Sequence, residues 1–178
     1  MEKKIRIAFD LDGVIVDKPP LIPKQFIEWL FKGGFCKSKK LYFYFPKTSL
    51  EQKIRKISHF YLFRPLINEN YQLIKKLSEN KNYNLTIISS RYSFLFPETK
   101  VLLRKNKIDK LFDKVYLNLE DKQPHIFKEE ILKKTIPDFF IDDDQEIIGY
   151  LRDRLSKTKL IFFQKDRTGS LENLLFSE

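Results

Sequence analysis

The chain has 178 residues, of which 42% are hydrophobic and 33% charged, an ordinary balance for a soluble globular protein of one domain. No apolar run approaches the roughly 20 residues of a membrane span, the stretch after Met1 is too short for a signal peptide, and the single cysteine, Cys36, excludes an internal disulfide, so we expect a cytoplasmic protein without a transmembrane segment. The net charge of +10 favours anionic partners such as phosphorylated metabolites, nucleic acid or an acidic lipid surface, although lysines scattered over solvated faces give the same total.

Strand-like and helix-like segments alternate along the chain, which predicts an α/β fold with a three-layer, Rossmann-like parallel sheet and helices on both faces. Short continuous apolar runs suit strands that are buried on both faces. The predicted strands are residues 5–10, 85–89, 115–117, 139–142 and 160–163. The predicted helices next to these strands are residues 70–79, 94–106, 127–134 and 145–155, with a short closing helix within 168–178.

The interval between the first two predicted strands is too long for a simple crossover. It holds two amphipathic helical patterns, residues 23–31 and 50–63, joined by two glycines and the aromatic-basic stretch KKLYFYFPK. We therefore expect a core of residues 1–17 and 66–178, and a small helical cap of residues 18–65 inserted above the carboxyl edge of the sheet.

The segment IAFDLDGVIVD places two aspartates at the end of the first predicted strand. Asp10 ends the apolar run, Asp12 follows it, and Gly13 frees the backbone to turn sharply. Ligands of open α/β sheets bind beyond the carboxyl ends of the strands, where both carboxylates project. Two carboxylates so close repel each other unless a cation such as Mg²⁺ is bound, and they can then divide the roles of nucleophile and acid/base. The structural alternative is an acidic turn that caps the next element.

FDLDGVIVD resembles the first motif of the haloacid dehalogenase (HAD) superfamily, in its small-helical-cap phosphatase type. The resemblance implies that Asp10 is the nucleophile and a metal ligand. It also implies that Asp12 is the acid/base, with its backbone carbonyl on the metal. Asp17 falls outside the motif, and we interpret it as a loop acid or a helix cap.

The second family motif is a hydroxyl group at the end of the second strand, which hydrogen-bonds a phosphoryl oxygen. In TIISSR, Ser89 takes that place, and Ser90 and Arg91 follow as further phosphate-binding candidates. A hydroxyl orients phosphate without adding charge, and an arginine can grip it with two N–H groups. A turn serine and a surface ion pair are the more common uses of these residue types.

The third family motif is a lysine that balances the acidic cluster and the phosphoryl charge, and two candidates compete for it. Lys128 opens the predicted helix in PHIFKEEIL, where its position is geometrically fixed, whereas Lys122 lies in a loop. We prefer Lys128 as the catalytic and phosphate-binding lysine. Any single lysine of a basic chain also has a solvent-exposed interpretation.

The fourth family motif is an apolar strand that ends in acids, and DFFIDDDQE supplies three of them. Three buried acids in a row need compensation by a metal or by helix capping. The resemblance implies that Asp143 is a direct metal ligand and Asp142 a second or water-mediated one. Asp144 is expected to cap the following helix.

Taken together, the four motifs imply a Mg²⁺-dependent phosphatase that hydrolyses a small phosphomonoester, such as a nucleotide or sugar phosphate, through an aspartyl-phosphate. A phosphomutase of the same superfamily would keep the same motifs. Nucleic-acid binding or end processing through the basic surface is an alternative of a different class, and the intact motifs disfavour a non-catalytic domain. The cap residues available for choosing the substrate are His59, Arg64, Lys39, Lys40, Tyr42 and Tyr44.

Overall fold

The computed structural model describes residues 4–19 and 41–176. Within them, five parallel strands form one sheet in the order β3-β2-β1-β4-β5. The predicted parallel α/β sheet is therefore confirmed, and each predicted strand is present with its ends shifted by no more than two residues. The strands are β1 (Ile5–Phe9), β2 (Tyr83–Ser89), β3 (Lys114–Leu117), β4 (Phe139–Asp142) and β5 (Lys159–Phe162).

Helices connect the strands and cover both faces of the sheet. No helix in residues 4–19 and 41–176 combines the length and apolarity that crossing a membrane requires. The α-helices are α1 (Ser49–Ser58), α2 (Asn68–Glu79), α3 (Phe96–Lys105), α4 (Pro124–Thr135), α5 (Gln145–Arg152) and α6 (Leu171–Phe176).

Five predicted helices have different bounds in the structure. The predicted helix 70–79 begins two residues earlier, as α2 at Asn68, and the predicted helix 145–155 ends three residues earlier, as α5 at Arg152. The predicted helix 50–63 ends as α1 at Ser58 and is followed by a 3-10 turn, Tyr61–Phe63. The predicted helix 94–106 starts with the 3-10 turn Ser93–Leu95 before α3. α4 begins earlier than predicted, at Pro124. Proline suits the first position of a helix, because the N–H group that it lacks would have no hydrogen-bond partner within the helix. The predicted helix 23–31 lies outside the described residues.

The core consists of two apolar layers, one on each face of the sheet. Ile7 and Phe9 of β1 pack with α2, α3 and α6 on one face, and Ala8 packs with α4 and α5 on the other. Since successive side chains of a strand point to opposite faces, a strand covered on both sides must be apolar throughout. This double burial is why the strands read as continuous apolar runs.

β1 is the central strand, and its two neighbours bring distant parts of the chain to the same edge. The parallel register pairs Phe9 with Ile87 of β2 and with Ile141 of β4. The residues that follow these positions, which include Asp10 and Asp142, therefore emerge side by side at the carboxyl edge. The predicted functional segments at the ends of β1, β2 and β4 share one location.

The chain leaves and re-enters the core at adjacent points of the backbone. Val16 forms an isolated antiparallel bridge with Leu66, and the Asp17 N–H donates to the Pro65 carbonyl at 2.8 Å. An insertion between these points leaves the sheet order undisturbed. The division into a core and a cap of residues 18–65 remains a prediction.

Candidate active site

Three carboxylates converge at the carboxyl edge of the sheet. Asp10 follows β1, Asp142 ends β4 and Asp143 comes next, and one oxygen from each lies within 4.8 Å of the other two. Asp10 and Asp142 are buried, whereas Asp143 is partly exposed toward the cavity. Carboxylate oxygens are hard ligands of the kind that Mg²⁺ prefers. The donor set therefore fits a divalent cation.

Lys128 supplies the buried positive charge of this cluster. Its Nζ lies 2.7 Å from Asp142 Oδ2 and 3.3 Å from Asp10 Oδ1, and the residue is 1% exposed. Burial opposes the charge on the ammonium group, but the two carboxylates outweigh burial and raise the pKa of Lys128. Because α4 begins at Pro124, Lys128 lies in the second turn of the helix instead of opening it, which corrects the predicted position.

The buried Lys128 and the exposed Lys18, which pairs with Asp143, do not offset the burial of the three acids. Burial raises the pKa of Asp10 to about 7, with Lys128 opposing the rise and Asp142 and Asp143 adding to it. Burial also raises the pKa of Asp142 and of Asp143. All three groups can be ionised together only when further positive charge is close. This electrostatic deficit is a second reason why the cluster fits a divalent cation.

Gly13 allows the loop after β1 to approach the acid after β4. Its φ is +76°, and a Cβ atom at this position would overlap the side chain of Asp143. Glycine is required here for the positive φ and also for the lack of a side chain. The predicted sharp turn is present, whereas the contact with Asp143 was not predicted. Lys18 also reaches Asp143, with its Nζ 3.1 Å from Oδ2.

Asp12 is held by two buried arginines and not by the acidic cluster. Arg91 donates from Nε to Asp12 Oδ2 and from Nη2 to Oδ1, both at 2.7 Å, and Arg64 also donates to Oδ1. The remaining Arg91 nitrogen donates to Thr99 Oγ1 at 3.2 Å. Burial lowers the pKa of Arg64 to about 9 and that of Arg91 to about 10. From the sequence, Arg64 was predicted only as an available cap residue, and no pattern in the sequence indicated that it pairs with Asp12.

The serines after β2 occupy two different environments. Ser90 and Arg91 line the cavity above the acidic cluster. Ser89 is 1% exposed, and its Oγ has no hydrogen-bond partner among the residues described. Its predicted contact with a phosphoryl oxygen remains a prediction, and the unpartnered hydroxyl leaves it free to donate.

The structure separates the two candidate lysines. Lys122 is on the surface, where its Nζ pairs with Glu120 at 2.9 Å and with Glu130 at 2.6 Å. Lys128 alone of the two reaches the acidic cluster. Asp17 pairs with Lys165 at 3.0 Å, which agrees with its interpretation as a loop acid.

The fourth motif divides its three acids between two tasks. Asp144 is the N-cap of α5, and its carboxylate accepts from the backbone N–H groups of Glu146 and Ile147. The predicted cap is confirmed. Asp142 uses one oxygen for Lys128 and the other for the Asp144 N–H. The choice between Asp142 and Asp143 as the direct metal ligand remains a prediction.

A cavity of about 460 Å³ opens above the cluster, and residues of the 41–65 segment form one of its walls. His59 is buried there, and its Nδ1 lies 2.8 Å from the Arg55 carbonyl oxygen. Burial, with Arg91 as a further cause, lowers the pKa of His59 to about 3, so the ring is neutral at physiological pH. Burial agrees with a packing role for His59. Tyr44 lines the wall and donates to Glu51 at 2.7 Å.

The rest of the aromatic-basic stretch has mixed exposure. Tyr42 is exposed, whereas Phe43 is tied to the core by Gln123, whose side chain accepts from the Phe43 N–H at 2.8 Å. Packing against the core therefore explains some of the aromatic residues of this stretch. Lys39 and Lys40 lie outside the described residues.

No protein-family model matches the chain, and no curated protein matches it. Solved structures do resemble it. The HAD-family enzyme BT-2542 from Bacteroides thetaiotaomicron, in complex with magnesium and inorganic phosphate, is 17% identical with a TM-score of 0.57, over 94% of this chain and 97% of that chain. The archaeal β-phosphoglucomutase from Pyrococcus sp. strain ST 04 is 14% identical with a TM-score of 0.53, over 98% and 100%.

A third similar structure belongs to a larger protein. A chain of the Pnkp1/Rnl/Hen1 RNA repair complex is 15% identical with a TM-score of 0.57, over 92% of this chain and 45% of that chain. The present chain thus spans less than half the length of that protein. Together these likenesses establish that the chain has the HAD fold, as the sequence motifs predicted.

Proposed function

We propose that this protein is a Mg²⁺-dependent phosphatase that hydrolyses a phosphomonoester through an aspartyl-phosphate on Asp10. The observation that carries the proposal is the convergence of Asp10, Asp142 and Asp143 with Lys128 at the carboxyl edge of the sheet. The HAD fold, shared with an enzyme solved with magnesium and inorganic phosphate, supports phosphoryl transfer at this edge.

In the proposed first step, an Asp10 oxygen attacks phosphorus in line and the bond to the ester oxygen breaks. The leaving alcohol takes a proton from Asp12. In the second step, water gives a proton to Asp12 and attacks phosphorus, which releases phosphate and restores Asp10. The chain's own residues act by positioning and charge, as is general for phosphoryl transfer.

Several groups are assigned to binding in this mechanism. A cation held by Asp10, Asp142, Asp143 and the backbone carbonyl of Asp12 would supply positive charge next to the phosphate. Lys128 adds a second positive charge from the protein side. The groups proposed to orient the phosphoryl oxygens are Ser89, Ser90, Arg91 and Lys128.

The cavity wall formed by residues 43–64 supports a role for the 18–65 insert in choosing the substrate. In this proposal the core residues contact only the phosphate group, whereas the cavity wall contacts the remainder of the substrate. A small nucleotide or sugar phosphate is the proposed substrate class, and a volume of about 460 Å³ suits a molecule of that size.

The test is phosphate release from nucleotide, sugar and aryl phosphates with Mg²⁺ and with EDTA. We expect Mg²⁺-dependent release that falls at least a thousandfold in Asp10→Asn, because the variant lacks the attacking carboxylate. Asp109→Asn, at an exposed position, is the matched control. Near-normal release by Asp10→Asn would exclude the covalent mechanism.

Processing of nucleic-acid ends is a second candidate, favoured by the fold likeness to a chain of an RNA repair complex and by the net charge of +10. Oligonucleotides that end in a phosphate distinguish it from the first candidate. Faster release from oligonucleotide ends than from free nucleotides, with a steep decline in added salt, would select this substrate class. Transfer of the phosphate to a second position of the substrate, without release, would select a phosphomutase.

A further inference from the structure

Asp12 has two tasks in conflict. The proposed mechanism needs its carboxylate to give a proton to the leaving group and to take one from water. In the structure both Asp12 oxygens accept hydrogen bonds from Arg91, and one of them also accepts from Arg64. A carboxylate engaged in this way is not available for proton transfer. Another acceptor must therefore replace Asp12 as the partner of the arginine N–H groups.

The two arginines are built into the active site. Arg64 and Arg91 are both buried, and both line the cavity that contains Asp10. Both guanidinium groups reach the Asp12 carboxylate, which lies two residues after Asp10. Arg64 Nε is buried and has no hydrogen-bond partner among the residues described. The pair therefore lines the cavity beside the nucleophile, and Arg64 has one N–H donor that no described residue accepts.

Phosphate is the anion that suits this pair. A guanidinium group presents parallel N–H donors that match two oxygens of a phosphate, and buried cations require an anionic partner. A phosphomonoester carries more negative charge than one carboxylate, and its oxygens can serve both arginines at once. Asp12 then satisfies the pair only until a phosphate arrives.

We propose that Arg64 and Arg91 form a phosphate-binding pair for which Asp12 is the resident counter-ion. An arriving phosphomonoester takes the N–H donors of the pair, and this exchange frees the Asp12 carboxylate to take up a proton from solvent, which it then gives to the leaving oxygen. The acid/base part of the inference rests on the proposed function, and the phosphate-binding part does not. Because Arg64 comes from the 18–65 insert, the exchange joins the insert directly to the chemistry of the core.

The experiment measures binding of inorganic phosphate by calorimetry in the presence of Mg²⁺. We expect Arg64→Met to weaken phosphate binding at least tenfold, because it removes a buried charged fork. Arg64→Lys, which keeps the charge but not the fork, should fall between the wild type and Arg64→Met. Arg104→Met, at an exposed position of α3, is the matched control and should bind as the wild type does.

A second pair of variants separates phosphate binding from simple support of Asp12. Asp12→Asn removes the competing anion, so it should tighten phosphate binding at least threefold. Adding Arg64→Met to Asp12→Asn should weaken binding again, at least tenfold. If Arg64 only held Asp12 in place, its removal would change nothing once Asp12 is replaced, and an affinity within twofold in that background would overturn the inference. Near-ultraviolet circular dichroism shows that each variant compared is folded.

The readout distinguishes this inference from the proposed function. Phosphate binding that depends on Arg64, in a protein that hydrolyses no ester, would refute the proposed function and leave the binding pair standing. Hydrolysis that depends on Asp10, with phosphate binding indifferent to Arg64 in both backgrounds, would refute the pair alone. A wild-type protein that binds no phosphate would overturn the pair.

Discussion

At the scale of single residues, the main feature of the site is its buried charged groups. Asp10 and Asp142 lie in a low-dielectric environment with one ammonium group, Lys128, between them. Removing one partner of such an arrangement leaves the remaining charges without compensation, which costs more than the pair itself contributes. Variants at these positions should therefore affect stability and catalysis together.

Lys128→Met removes the charge while keeping most of the side-chain volume. We expect kcat to fall about 10²–10³-fold, the usual loss when one electrostatic donor is removed from a reacting group. The free energy of unfolding at neutral pH should fall by about 3–5 kcal/mol, because Asp10 and Asp142 lose their partner. Steady-state kinetics and urea denaturation measure the two effects.

Lys122→Met is the control, since Lys122 is a surface residue paired with Glu120 and Glu130. It should be close to the wild type in both measurements, because exposed ion pairs contribute little. Loss of activity in Lys122→Met, with Lys128→Met active, would reverse the assignment of the lysine.

Asp10 should make the stability of the metal-free protein depend on pH. Burial raises its pKa from 3.8 to about 7, with Asp142 and Asp143 contributing and Lys128 opposing. Over this interval the folded protein keeps a proton that the unfolded chain has released, so the free energy of unfolding falls as the pH rises. Asp10→Asn cannot titrate and should lose less stability across the same range, by up to about 1.4 kcal/mol per pH unit.

Urea denaturation in EDTA at several pH values measures this difference directly. Comparison with Asp10→Asn cancels the contributions of the titrating groups that lie away from the acidic cluster. Saturating Mg²⁺ should reverse the trend in the wild type, because the cation binds the ionised carboxylates. Parallel pH profiles for the two proteins would contradict the raised pKa.

At the scale of elements, the turn after β1 decides how closely two loops approach. Gly13 and Gly169 have the same φ of +76°, but only Gly13 has a neighbour where a Cβ atom would lie. At Gly13 that neighbour is the side chain of Asp143, whereas at Gly169 nothing lies within 4 Å. The two glycines thus separate the effect of backbone conformation from the effect of contact.

Gly13→Ala should displace Asp143 and weaken Mg²⁺ binding at least tenfold, because the added methyl group occupies the space of the carboxylate. Gly169→Ala carries the same cost of a positive φ, about 1–2 kcal/mol, and should bind Mg²⁺ as the wild type does. Calorimetric titration with Mg²⁺ tests both variants. Equal Mg²⁺ affinities in the two variants would show that Asp143 is not held in place by this contact.

At the scale of the whole molecule, the candidate metal ligands join parts of the chain that are far apart in sequence. Asp10 follows β1, while Asp142 and Asp143 belong to β4 and the residue after it. Unfolding separates these strands and therefore destroys the site. Binding of a cation to the folded state alone must then stabilise the entire core.

Mg²⁺ at 100 times its dissociation constant should raise the free energy of unfolding by about 2.7 kcal/mol. Asp143→Asn should remove most of this increase, because a carboxylate oxygen is replaced by a weaker neutral ligand. Asp109→Asn should retain it. Thermal unfolding with Mg²⁺ and with EDTA measures the shift, and an unchanged shift in Asp143→Asn would exclude that residue as a ligand.

Much of the site was predictable because its residues occur in short local patterns. Asp10, Asp12 and Gly13 follow an apolar run directly, and Asp142 to Asp144 follow another. A buried strand that ends in acids is readable from the chain alone, and parallel strands bring such ends to one edge. The preference for Lys128 over Lys122 could also be predicted from the sequence. Because α4 begins at Pro124, however, Lys128 lies in the second turn of the helix and not at its start.

The sequence by itself determined the parallel α/β sheet and the positions of the acids at strand ends, because apolar periodicity and strand-end chemistry are local properties. Only the tertiary structure decided the pairing of Asp12 with Arg64 and Arg91 and the approach of Gly13 to Asp143. These contacts join residues that are 52, 79 and 130 positions apart. With 34 lysines and arginines in the chain, charge alone cannot select the partner of a given acid, and the packing of the strands and of residues 41–65 makes that choice.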